Sequence, residues 1–144
     1  MFDRLPGRLV RMVAVSMFTA GLWATPPAVD QGELDLIQVA LNARDNPQKQ
    51  MEFLKQWEES YPYSVFAGTR LLSMAQADSE IIKKALRGKP TLAEMNAAKN
   101  AAIDLLNNLD RYLTPENKPP DITDDQWKRA RQELEQQARA ALRL

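Results

Sequence analysis

From residue 31 onward the apolar side chains recur every three or four positions, the spacing of α-helices that bury one face. Leu34, Ile37, Ala40 and Leu41 make a stripe over about 31–44, and Met51, Leu54, Trp57 and Tyr61 a second one ending near Ser60. A third segment, about 65–87, carries Val65, Phe66, Leu71, Leu72, Met74 and Ala75, then Ile81, Ile82 and Ala85. Asp78 or Ser79 offers a break and a new cap inside it, which leaves one helix or two open. The fourth stripe is the strongest: Met95, Ala98, Ala102, Leu105, Leu106, Leu109, Tyr112 and Leu113. Trp127, Ala130, Leu134, Ala138, Ala141 and Leu142 form the last, over about 123–143. No stretch alternates with period two, so strands are not expected.

The prolines and caps set the boundaries. Asn46-Pro47 is an N-cap followed by proline at the first helical position, where its missing N–H costs nothing. Thr91 with Glu94, and Thr123 with Gln126, have the spacing of capping boxes. Pro62 sits in the turn 61–64, where Ser64 is placed to cap the following helix, Gly88 ends the third segment, and 114–122 reads as a proline-rich linker. Short loops between amphipathic helices make neighbours antiparallel, because each apolar stripe needs a facing one. The expected fold is therefore all-α, about five helices packed as antiparallel pairs. The final stripe runs on to Leu142 with no glycine cap, which leaves two readings: an end that frays in solvent or, the one favoured, further helices covering the stripe in longer relatives.

The first residues follow a different logic. Arg4, Arg8 and Arg11 face one acid, Asp3, and an uncharged apolar run of 13 residues, 12–24, leads to Thr25-Pro26-Pro27. These are the parts of a secretory signal. As a helix the run would reach only about 20 Å, short of the roughly 30 Å hydrocarbon core. Residues 1–24 are accordingly expected to be a cleaved signal peptide, with Ala24 before the cut or an earlier cut near Thr19 and Gly21. The mature helical domain would span 25–144, periplasmic or secreted; an uncleaved segment tethering the chain to the inner membrane is the alternative.

Composition narrows the chemistry. The 144 residues contain 19 basic and 19 acidic side chains but no histidine and no cysteine. That removes Cys/His zinc sites, Ser-His and Cys-His nucleophiles, disulfides and a lipidated N-terminal cysteine. The five glycines are isolated, so no phosphate-binding loop is present. The balanced charge argues against nucleic acid as a partner. No cofactor, metal or catalytic residue is expected. The paired acids Glu58-Glu59 and Asp124-Asp125 point about 100° apart on a helix and do not converge on one proton. Asp124 and Asp125 also suit a first helical turn, where the macrodipole favours negative charge. Lys83, Lys84, Arg87 and Lys89 similarly suit a helix C-terminus.

Residues 47–75, PQKQMEFLKQWEESYPYSVFAGTRLLSMA, resemble a tetratricopeptide-repeat (TPR) helix pair of the kind common in bacterial envelope proteins. Tyr61, Pro62 and Ser64 match its aromatic-Pro-x-Ser turn; Leu54 and Trp57 match inward positions of the first helix, Phe66 and Leu71 those of the second. A weaker likeness extends from Ala97 to Leu142. The resemblance implies a TPR-like, α-solenoid architecture and protein–protein adaptor work without catalysis. Candidate partner contacts are Tyr63, Tyr61, Trp57, Arg70 and Trp127. Helical spacing places Trp57, Tyr61 and Trp127 on core-facing stripes, whereas Tyr63 lies out of phase, inside the turn. A self-associating scaffold tethered by its N-terminal segment is the alternative function.

Overall fold

The computed structural model describes residues 30–144, which form five α-helices and one 3-10 turn, with no strand among them. They are α1 (Gln31–Asn42), α2 (Pro47–Ser60), α3 (Ala67–Leu86), α4 (Leu92–Tyr112), the 3-10 turn Pro115–Asn117, and α5 (Asp124–Ala141). The leader read over 1–24 lies outside the described residues.

Local chemistry explains the boundaries. Asn46 Oδ1 accepts from Lys49 N–H at 3.2 Å beside Pro47. Both capping boxes form reciprocally, Thr91 with Glu94 and Thr123 with Gln126, and such caps stabilise a helix by about 1 kcal/mol each. Ser64 acts differently from a helix cap. Its Oγ accepts from Phe66 N–H at 3.0 Å, tightening the turn, and α3 starts at Ala67 without a side-chain cap.

Each helix packs on its neighbours in sequence, and α3 also touches α5 and the 3-10 turn. The polar contacts give the directions. Gln50, early in α2, donates to the Ala40 carbonyl late in α1, while Trp57, late in α2, donates to Glu33 early in α1. These two helices are antiparallel. Lys84 near the end of α3 pairs with Glu94 at the start of α4, and Arg131 of α5 reaches Asp110 at the end of α4. Ser79 of α3 donates to Gln137 of α5 at 2.8 Å, joining helices two steps apart.

The predicted stripes form one core, with Leu54, Trp57, Met74, Ile82, Leu105 and Tyr112 among its most deeply buried side chains. One open point is decided and two core assignments are corrected. The third segment is one unbroken helix, because Asp78 and Ser79 both lie inside the protein rather than marking an end. Val65 and Leu142 do not join the core: Val65 precedes α3 and is 68% exposed, and Leu142 follows α5 and is 43% exposed. Since α2, α4 and α5 all cover α3, its buried surface runs almost all the way round.

Candidate functional site

The turn 61–65 lies at the surface between α2 and α3. Pro62, Tyr63 and Val65 are all exposed, with Tyr63 97% accessible. Beneath it lies a network contributed by four helices. Glu33 of α1 is buried, and its Oε1 accepts from Trp57 Nε1–H at 2.9 Å and from the Ser64 hydroxyl. Arg70 of α3 is only 3% exposed. It donates to the Tyr61 carbonyl at 2.9 Å, and its guanidinium lies 5.3 Å from the Trp57 ring centre, within cation–π range. Its Nε is 3.8 Å from Glu58 Oε2, and Arg111 of α4 donates to that same oxygen at 2.8 Å.

Two acids and two guanidiniums thus balance each other. Burial pulls the Arg70 pKa down, while Glu58 and Glu33 oppose the shift. An arginine so far above neutrality keeps its charge. At the outer edge, the Tyr61 hydroxyl donates to Asp30 Oδ2 at 3.0 Å. The Gly32 N–H and that hydroxyl hold the Asp30 carboxyl below its usual pKa, and the same bond raises that of Tyr61. Gly32 leaves room for this contact: a Cβ would come within 2.6 Å of the Tyr61 oxygen, so the hydroxyl would have to shift. Gly68 plays the same part on the far flank, where a Cβ would meet Asn117 Oδ1 at 2.7 Å. The arrangement fastens both ends of the turn and leaves its crest in water.

A second polar cluster lies further along α3. Asp78 is 2% exposed and faces Asp104 and Tyr112 of α4, with Lys55 of α2 close enough to be felt electrostatically. Burial, then the hydrogen bond and repulsion with Asp104, push the Asp78 carboxyl up to about 10. It therefore holds its proton at neutral pH and donates to Asp104. The Tyr112 hydroxyl donates to Asp104 Oδ2 at 2.7 Å. Partial burial pushes the Asp104 pKa up, but donation from Asp78 and Tyr112 outweighs it and the net shift is downward. Burial followed by the same bond raises the Tyr112 pKa. No group of three or more acidic side chains among the described residues is placed to hold a metal ion.

Of the five candidate contacts, Trp57, Tyr61 and Arg70 converge under the turn and Tyr63 crowns it. Trp127 lies apart, buried on α5. Trp57 and Arg70 are too deeply buried to meet a partner directly; they hold the platform. Of the paired acids, Glu58 joins the network and Glu59 stays exposed. Asp124 sits in the first turn of α5, where Lys118 bonds it at 2.6 Å and lowers its pKa. In the basic cluster, Lys83 and Lys84 lie in the last turn of α3, and Lys83 is buried 3.5 Å from Glu80. Sequence reasoning missed Glu33, Arg111, Asp78, Asp104 and the hydroxyl role of Tyr112. The usable signals were an acid at position 78 between Ala77 and Ser79, and Glu33 one residue from the Leu34 stripe.

No helix among the described residues is long and apolar enough to cross a membrane. Compared with models of known protein families, with curated proteins and with solved structures, the chain matches none.

Proposed function

We propose that the protein is an exported, TPR-like helical adaptor that binds a protein partner through the turn 61–65. The carrying observation is the contrast between Tyr63, 97% exposed, and the buried framework that fixes the chain on either side of it. An aromatic ring presented from a stiff base contributes large contact area with few rotamers to immobilise, which is why Tyr is enriched among interface anchors. Export is supported by the basic start and short apolar run of residues 1–24. The aromatic-Pro-x-Ser turn supports the TPR-like reading, as do the antiparallel helices packed in chain order. Charge balance and the lack of histidine and cysteine favour binding over catalysis.

A photo-crosslinking amino acid placed at Tyr63 tests this in cells, with the exposed Gln132 of α5 as reference. A discrete crosslinked protein from position 63, absent from position 132, is expected. Equal labelling at both positions, or none at 63, overturns the reading. The intact mass of the exported protein reports removal of the leader.

A further inference from the structure

α3 has 20 residues, so about 30 Å separates the turn that precedes it from its last residues. The two ends of the molecule differ. At the first, Tyr63 and Val65 stand out from the surface, flanked by the exposed carboxylates of Glu59 and Asp30. At the other, a hollow of about 390 Å³ opens between the start of α2, the end of α3 and the start of α4. Ile81 and Pro47 give it an apolar lining, and Lys84 lines it with a side chain 70% exposed. Asp45 and Glu94 also line it, the latter 3.9 Å from Lys84. The adjacent turn 87–91 adds the exposed Arg87 and Lys89, flanked by the exposed apolar Leu86 and Leu92.

We propose that the turn 61–65 of one copy docks into this hollow on a second copy, so that molecules join head to tail. This rests on the turn being a docking site and names the partner as the same chain. One end offers an aromatic knob with acidic flanks; the other offers a hollow large enough for a phenol ring, lined by Ile81 and Pro47 among polar neighbours, where Lys84 with Arg87 and Lys89 of the adjacent turn outnumber Asp45 and Glu94. Charge of opposite sign favours the encounter and fixes which ends meet. The two patches are different, so the contact is heterologous and can repeat into open files or close into rings. A knob of this size buries less than the roughly 1,200 Å² of a stable interface, so the pairing is weak, concentration-dependent and salt-sensitive.

Sedimentation velocity on the purified full chain, from about 10 μM to about 1 mM, tests it in this weak-affinity range. The average mass is expected to rise with concentration and to fall with added salt. Tyr63→Ala should weaken association at least tenfold. Glu59→Lys and Lys84→Glu, both at exposed positions, should each do the same alone, because like charges then face each other. Mixing these two variants should restore association in alternating order, since every contact again joins opposite charges. A monomer throughout the range overturns the proposal, as does association indifferent to all three substitutions or failure of the mixture to recover. If the chain stays monomeric while position 63 still crosslinks a different protein, the docking turn stands and self-pairing falls. If position 63 crosslinks nothing and the mass rises through another surface, both fall.

Discussion

Arg70 and Asp78 lie two turns apart on the same helix, both almost fully inside the protein, and the fold treats them oppositely. Arg70 meets carboxylates from α1 and α2 and stays charged, tying three helices to the turn 61–65. Asp78 meets another acid, so it gives up its charge by keeping a proton and becomes a hydrogen-bond donor to Asp104. A central helix covered on several sides holds these ionisable groups by pairing the charge or by giving it up, because an isolated buried charge is prohibitive. The first route makes the region around the turn depend on every partner being present. The second makes the middle of the helix depend on pH.

Removing the cation should break that contrast most severely. Arg70→Leu leaves Glu33 and Glu58 without their buried counter-charge and the Tyr61 carbonyl without its donor. The expected loss is about 3–5 kcal/mol, read as a lower urea midpoint. Arg70→Lys keeps the charge but not the planar fork that reaches Tyr61 while stacking on Trp57, so it should fall between parent and Arg70→Leu. Equal losses for Leu and Lys would mean that stacking geometry, not charge, holds the turn.

The acid pair predicts a pH signature of the opposite kind. Unfolded, Asp78 loses its proton near pH 3.8; folded, it holds it to about 10. The folded state therefore binds more protons in that window, and this contribution to stability, complete below about pH 4, declines as pH rises. The lowered pKa of Asp104 works the other way, adding stability above the ordinary carboxylate range that is lost on acidification. Asp78→Asn keeps a donor toward Asp104 without titrating. It should exceed the parent in stability by about 2 kcal/mol at pH 9 and lose that advantage toward pH 4 in parallel urea titrations. Asp104→Asn, which takes the charged acceptor from both Asp78 and Tyr112, should be less stable than the parent at neutral pH. Parallel curves for parent and Asp78→Asn would show that Asp78 is ionised in the folded state.

A smaller effect separates the platform from its latch. Gly32→Ala pushes a methyl group against the Tyr61 hydroxyl and loosens the bond to Asp30. It should cost about 1–2 kcal/mol, typical of inserting one carbon into a filled space, and thermal melting measures it. If Gly32→Ala melts with the parent, the Tyr61 ring yields freely and the edge of the turn is less fixed than its interior.

The sequence was informative where structure is set by neighbours a few residues apart. Pro47, Thr91 with Glu94, and Thr123 with Gln126 announce helix starts because caps act within one turn. The grouping of Trp57, Tyr61 and Arg70 was legible for a similar reason, since a single tight turn brings them together. Their partners were not. Glu33 is 24 residues from Trp57, and Arg111 is 53 from Glu58. No local pattern reports such pairs. Asp78 and Ser79 left the third segment open between one helix and two, because a polar pair within an apolar stripe can mark an end. What decides for one helix is the enclosure of the segment by three others, which supply Asp104 and Gln137 as partners from far along the chain.

Tyr63 supplies the smallest expected effect on folding and the sharpest division between platform and crest. At 97% exposure its ring has almost no protein contact to lose, so Tyr63→Ala should stay within about 0.5 kcal/mol of the parent in urea denaturation. Crosslinking or self-association through the turn should nonetheless fall. Arg70→Lys should show the converse, lowering stability while leaving the crest residues chemically intact. Binding by that variant, measured at a temperature where it remains folded, then reports how far docking needs a rigid base. Unchanged binding would place recognition in the exposed ring alone. A drop approaching that of Tyr63→Ala would mean that the buried Glu33, Trp57 and Arg70 network acts on the partner by fixing the angle at which Tyr63 is presented.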